Sequence, residues 1–283
     1  MQLLTSFTCN VATYLSRIFG MDGKTTRTWK LVLSWLPIIL LAGWYTTTAY
    51  HRTEENPDEK LTPTPTKVYE AFQRYALEPD KAGDYRLWKD VRASGERFLW
   101  ALPWLFLAAL VGLHMGLYQW VEDLSLRSLT VVDKIPPILL LALIFVVLGT
   151  GDIAKVAIIV ITVFPTIALD TQLITKSFPK ELRIKAKTLG ASNAEITYLV
   201  VFKNIFPRVL HVFRSSLKAI FLALLAAEAV VSAVGIGYRT FYVQRFSAVD
   251  VILVYVITAT LALVTIDLSI RWYVRLRYKW LDK

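Results

Sequence analysis

Six stretches of this chain, 31–50, 98–121, 135–150, 156–175, 219–238 and 251–270, each hold at most one acidic or basic residue. About 20 apolar residues in helical form cross a ~30 Å hydrocarbon core. Inside that core every backbone polar group needs a partner, which leaves helices or closed barrels as the structures available. The expected fold class is therefore all-α, a polytopic membrane protein with six transmembrane helices. The third stretch is short and opens on Pro136-Pro137. There the ring geometry and the missing N–H groups favour a helix start or a kink over a straight rod.

The same pattern divides the chain into a segment 1–28, a first transmembrane helix 29–50, an outer segment 51–96, a five-helix core 97–270 that includes a loop at 176–207, and a tail 271–283. In 1–28, Leu3, Leu4, Phe7, Val11, Tyr14, Leu15 and Ile18 recur at helical spacing before Gly20, as in an amphipathic helix lying on a membrane face. In the outer segment, Thr64-Pro65 reads as an N-cap followed by proline at the first helical position. Val68, Ala71, Phe72 and Tyr75 then form a stripe expected to pack against the outer membrane face.

Charge sets the orientation. The net charge of +10, from 32 Lys+Arg against 22 Asp+Glu, raises nucleic acid as a partner until its distribution is considered. The bases gather in 176–214 and 271–283, whereas 51–96 carries slightly more acids than bases. Basic loops mark the cytoplasmic side. Both termini and the 176–207 loop are thus expected in the cytoplasm, in an inner (cytoplasmic) membrane, and nucleic acid is not an expected partner. The single Cys9 excludes an intrachain disulfide, and three scattered histidines show no metal spacing.

The loop itself is strongly punctuated. Leu182, Ala186 and Leu189 share a side of one helix, Glu181 and Lys185 make an i,i+4 pair, and Gly190 suits the helix end. Ser192 and Glu195 have the form of a capping box, so a second helix is expected to begin within two residues. The product is a rigid basic elbow, either a docking surface for a soluble partner or a rest on anionic lipid headgroups through Lys180, Arg183, Lys185 and Lys187.

Few ionisable residues fall in the spans. Asp170, Asp267, His114 and Lys155 lie toward span ends, while Glu228 lies ~14 Å beyond Lys218 at 1.5 Å per residue, near the bilayer centre. A carboxylate there needs a partner or a proton. It either holds the Gly235-Ile236-Gly237 turn or a dimer seam by hydrogen bonds, or serves as a gate. Two runs of small residues, Ala108/Gly112/Gly116 and Ala219/Ala223/Ala227, permit close helix approach within a subunit or across a dimer. Arg239 and Arg245 fall on the outer side, where an anion, a binding protein or headgroups would meet them. Gly23-Lys24-Thr25 lacks the earlier glycine and the strand of a phosphate-binding loop. No nucleophile–base pattern or carboxylate pair appears, so the chain is not expected to be an enzyme.

Lys185 to Ser192 (KAKTLGAS) followed by Val200 to Pro207 (VVFKNIFP) resembles the EAA loop of ABC importer permeases. In that likeness Ala186 takes the second alanine, Gly190 the glycine, Ala191-Ser192 the residues after it, and Pro207 the second of two prolines. Ile184, Lys185 and Lys203 depart from the pattern, and Glu181 is the acidic residue one turn earlier. LTPTPTKVYEAF, RASGERF, DKIPPILLLALIFVVLGTGDIAKV and AAEAVVSAVGIGY are similar, in order, to further elements of the branch that handles nitrate, sulfonates, taurine and bicarbonate.

The resemblance implies the six-helix type I (MetI-like) permease fold. It implies a subunit that pairs with a copy of itself, holds two cytoplasmic ABC ATPase subunits and receives solute from an extracytoplasmic binding protein. ATP and Mg would bind the ATPases and no cofactor this chain. Glu181, Ala186, Gly190, Ala191, Ser192, Glu195 and Pro207 would form the ATPase-coupling loop, with Pro136, Pro137, Glu228, Gly235 and Gly237 as candidates for the translocation path or its gate. Two other readings stand beside it: a proton-coupled secondary transporter using Glu228, and a non-transporting scaffold or channel whose elbow grips membrane lipid.

Overall fold

The computed structural model describes residues 27–55, 61–80 and 83–278. The amphipathic helix expected before Gly20, Cys9 and Gly23-Lys24-Thr25 lie outside these residues, as does the end of the basic tail. The chain forms two compact units, residues 1–65 and 66–283. In the first, helix α1 (Arg27–Glu55) encloses the first predicted span. The Tyr45 hydroxyl in α1 donates to the Pro63 carbonyl at 3.2 Å.

The second unit continues with α2 (Pro65–Ala76), α3 (Arg86–Leu117), α4 (Gln119–Asp133), α5 (Pro137–Leu148), α6 (Asp152–Lys176), α7 (Lys180–Thr188), α8 (Asn193–Val231), α9 (Ile236–Gln244) and α10 (Val249–Arg277). Among the described residues there is no strand. In this unit α3, α6, α8 and α10 are each long and apolar enough to cross a bilayer, and the α4–α5 pair makes another if counted as one broken span.

The main core lies where α3, α6 and α8 meet. Ala101, Leu105, Ala108 and Leu113 of α3 pack with Val163, Ile167 and Ala168 of α6 and with Ile205, Val209, Ile220 and Leu224 of α8. The small residues of α3 serve this contact within the subunit. A Cβ on Gly112 would stand 2.3 Å from the Ala168 carbonyl oxygen, so the two backbones touch. In the other stripe Ala223 and Ala227 are buried and Ala219 is exposed.

The helix start expected at Pro136-Pro137 is found: α5 begins at Pro137 and meets α4 at 103° across a break that contains Pro136. Two features, in the fifth span and in the outer segment, differ from the sequence expectation. The fifth does not begin near 219, because α8 runs unbroken from the elbow for 39 residues, takes a π-helical turn over Ile196–Phe202, and stops at Val231. Helix α2 begins at Pro65 as expected, yet most of its stripe meets protein rather than the membrane face, with Phe72 left exposed. Ala71 is fully buried in a cluster with Ile236, Val251 and Tyr255, and Val68 and Tyr75 pack against that cluster. Tyr75 meets the Tyr255 ring edge-on at 6.2 Å.

Candidate functional site

Two constellations stand at opposite ends of α3 and α8. The first is the elbow. Gly190 takes φ +88°, a left-handed conformation that side chains resist. Its N–H donates to the Lys187 carbonyl at 3.0 Å and the Ala191 N–H to the Ala186 carbonyl at 3.1 Å, the paired bonds of a Schellman ending. Only Leu189, Gly190, Ala191 and Ser192 separate α7 from α8. The Ser192 hydroxyl accepts from the Glu195 N–H (3.3 Å), and the Ser192 N–H donates to Glu195 Oε2 (2.8 Å), completing the capping box. No ion pair joins Glu181 to Lys185; both are exposed, and such a pair adds little in water.

The elbow is fixed to the end of α3. Thr197, buried in the π-helical turn, donates to the Asn193 carbonyl at 2.8 Å, so at the 3.1 Å contact between them Tyr118 is the donor and Thr197 the acceptor. His114 Nδ1 lies 2.8 Å from the Leu110 carbonyl, which can only accept; that leaves Nε2 of the neutral ring to accept from Tyr198 at 3.2 Å. Ala186 and Ala191 pack on the main core, whereas Leu182 and Leu189 face outward, Leu189 with 80% of its surface exposed. Pro207 lies buried inside α8, beyond the elbow.

The second constellation is a buried polar network. Glu228, fully buried, lies in the last turn of α8 rather than midway along a span. Its Oε1 accepts from Arg97 Nη1 at 2.6 Å and from the Ser94 hydroxyl at 2.8 Å, and its Oε2 accepts from the Gly237 N–H at 2.9 Å. Arg97 also donates to the Val234 carbonyl and, through Nε, to Asp152, which accepts in turn from Lys155. Ser94 accepts from the Ile236 N–H. Asp90 accepts from the Gly235 N–H, from Arg239 Nε and from the Tyr255 hydroxyl.

Three cations, Arg97, Lys155 and Arg239, thus balance three carboxylates, Asp90, Asp152 and Glu228. The hydrogen bond expected of Glu228 to the 235–237 turn is formed. At φ +140°, with a Cβ that would fall 2.5 Å from the Glu228 carboxyl carbon, Gly235 has no substitute. Arg239 answers Asp90: burial alone would lower its pKa, but the Asp90 hydrogen bond and charge hold it above the ordinary value. Lys155, expected near an interface, is buried.

The structure therefore joins Glu228, Gly235 and Gly237 into one site and leaves Pro136 and Pro137 apart, at the α4–α5 corner. That corner is tied to α6, where Thr166 donates to Asp133 at 2.7 Å. Asp90, Asp152 and Tyr255 were not singled out from sequence. The available signal was Asp90, Ser94 and Arg97 at i, i+4 and i+7, a polar stripe opening an apolar helix. Arg97 and Asp152 also front a cavity of about 710 Å³ between α3 and α6, walled by Trp100, Trp104, Val156 and Val160.

A bundle of apolar helices that carries a capped elbow between two of its spans has the architecture of a membrane permease component. The profile of the family described as binding-protein-dependent transport system inner membrane component matches residues 105–283, and the chain belongs to that family, the permeases of ABC importers with the MetI-like fold. It is similar to the taurine transport system permease protein TauC of Escherichia coli K12, 28% identical over 238 residues, covering 82% of this chain and 83% of that one. SsuC of the same strain, provisionally named an aliphatic sulfonates transport permease protein, is 25% identical over 267 residues, covering 89% and 93%. The nitrate import permease protein NrtB of Synechocystis sp. is 24% identical over 151 residues, covering 52% and 55%. These likenesses favour the import reading over the proton-coupled alternative.

Proposed function

We propose that this chain forms the translocation path of an ATP-driven importer for a small organic anion or oxyanion of the taurine, sulfonate or nitrate kind. It works as a dimer with a second copy, takes solute from an extracytoplasmic binding protein, and has the elbow and both termini in the cytoplasm. ATP and Mg are bound by two ATPase subunits that grip the elbow. Glu181, Ala186, Gly190, Ala191, Ser192, Glu195 and Pro207 shape or back this grip, while Glu228, Gly235 and Gly237 hold the far end of the path, with Pro136 and Pro137 at its bend.

The observation that carries this reading is the continuity of α8. One helix, roughly 60 Å long at 1.5 Å per residue, joins the Ser192 cap to Glu228, so a push on the elbow reaches the glycine turn without a joint. Both oxygens of Glu228 are already engaged by Arg97, Ser94 and Gly237, which suits a structural tie between α3, α8 and the glycine turn. The test is uptake of radiolabelled taurine, sulfonate and nitrate by vesicles holding the chain with its neighbouring ATPase and binding protein. ATP-dependent uptake that Gly190→Val abolishes, since a β-branched residue resists φ > 0, is the expected result. Failure of any ATPase to copurify, with Gly190→Val transporting normally, refutes it.

A further inference from the structure

The elbow has two faces. On α7 and its C-cap, Leu182, Lys185 and Leu189 point one way, and Lys180, Arg183 and Lys187, at i, i+3 and i+7, lie on the other. The second face closes over a cavity of about 370 Å³ whose remaining polar walls are Tyr118, Asn193 and Thr197. Leu117, at the end of α3, a helix long and apolar enough to cross a bilayer, borders it. Among the described residues Lys180, Arg183 and Lys187 form no ion pair, and no carboxylate lines the cavity. Arg183 is nevertheless half-buried in it. Three cations around one concave site, one of them half-buried, create a positive field that favours an anion there.

We propose that this cavity is a binding site for a phosphate-bearing anion, held by Lys180, Arg183 and Lys187 and accepting the Asn193 side-chain amide as a further donor. Its walls come from α3, α7 and the start of α8, so an occupant ties the elbow to the bundle and sets how stiffly the elbow follows its partner. The proposal rests on the permease reading only for that consequence; binding itself does not require it. The phosphate belongs either to an anionic lipid headgroup or to a soluble phosphate, and one experiment separates them.

Amide hydrogen exchange over residues 180–197 is followed in the full chain in phosphatidylcholine nanodiscs, with phosphatidylglycerol added in one arm and inorganic phosphate titrated in the other. Protection that rises with phosphatidylglycerol assigns a lipid headgroup; protection that rises with inorganic phosphate assigns a soluble anion. In either case Arg183→Gln and Lys187→Gln should each weaken the response about fivefold, the share of one cation at an anionic surface. Lys185→Gln, on the other face, should leave it unchanged. No response in either arm, an equal loss in Lys185→Gln, or protection that appears only when an ATPase subunit is added overturns the proposal. Copurification of the ATPase, scored separately, tells this failure from failure of the importer reading.

Discussion

Glu228→Gln keeps the shape of the side chain and should still be among the most damaging single changes in this protein. Both carboxylate oxygens accept from N–H donors, Oε1 from Arg97 and Oε2 from Gly237. A glutamine has one accepting and one donating end, so in either pose its NH₂ group opposes a donor. The change removes a charge-assisted bond worth about 1.5–3 kcal/mol and leaves a buried donor unanswered at about 1–3 kcal/mol. The sum, about 2.5–6 kcal/mol, brackets the usual cost of about 3–5 kcal/mol for breaking one side of a buried pair. At about 2–4 °C per kcal/mol for a chain of this size, Tm should fall by roughly 10 °C. Arg97→Met should cost a similar amount, because it strands the fully buried Glu228. The double variant is the decisive measurement. With no guanidinium opposite it, the amide turns its oxygen to the Gly237 N–H, so the pair should be less harmful than the sum of the singles by about 2 kcal/mol. Thermal unfolding in detergent, followed by tryptophan emission, reads all three; Trp100 lies one turn from Arg97. Additive losses, or a Glu228→Gln variant that melts with the wild type, would refute the assignment of this network as one coupled unit.

Two further changes probe other parts of the bundle. Gly112→Ala pushes a methyl to within 2.3 Å of the Ala168 carbonyl oxygen, so α3 and α6 must part, at about 1–3 kcal/mol. An unchanged Tm would show that this contact is looser than described. Ser192→Ala removes the α8 cap at about 1 kcal/mol, and hydrogen exchange at the Glu195 amide should quicken while Ser192→Thr restores it. Equal exchange in all three proteins would show that the cap does not hold the elbow.

What could be read from sequence follows from the range of the forces involved. The elbow was legible because its signals are local: Gly190, Ser192 and Glu195 act on backbone groups within a few residues of themselves. The spans were legible because desolvation acts on whole segments. The proline start of α5 was legible too, but its pairing with α4 was not, since α4 mixes charges such as Glu122, Asp123 and Arg127 with apolar residues and is held by distant partners. One is the ion pair of Glu122 with Lys176; the other is the Asp133–Thr166 bond. The polar network joins residues far apart, Asp90 to Tyr255 and Ser94 to Glu228, and no local pattern encodes such pairing. Resemblance pointed to Ser94, Arg97 and Glu228 separately; the fold shows that they are one site.

The two constellations are of unequal strength, and this decides how α3 and α8 move together. At the elbow, α3 holds α8 through two neutral hydrogen bonds, Tyr118 to Thr197 and Tyr198 to His114, each worth about 0.5–1.5 kcal/mol. At the other end the Arg97–Glu228 pair resists separation by about 3–5 kcal/mol, and Ser94 adds to it. A load applied to the elbow therefore breaks the aromatic contacts first, while the far end keeps its register. The π-helical turn over Ile196–Phe202 lies between the elbow and the long α-helical run, where the ladder of hydrogen bonds already departs from α-geometry. Under the proposed coupling, motion delivered through α7 first loosens the start of α8 from Tyr118 and His114, and the unbroken helix then carries it to the Glu228 network, which holds α3 and α8 together at their other ends.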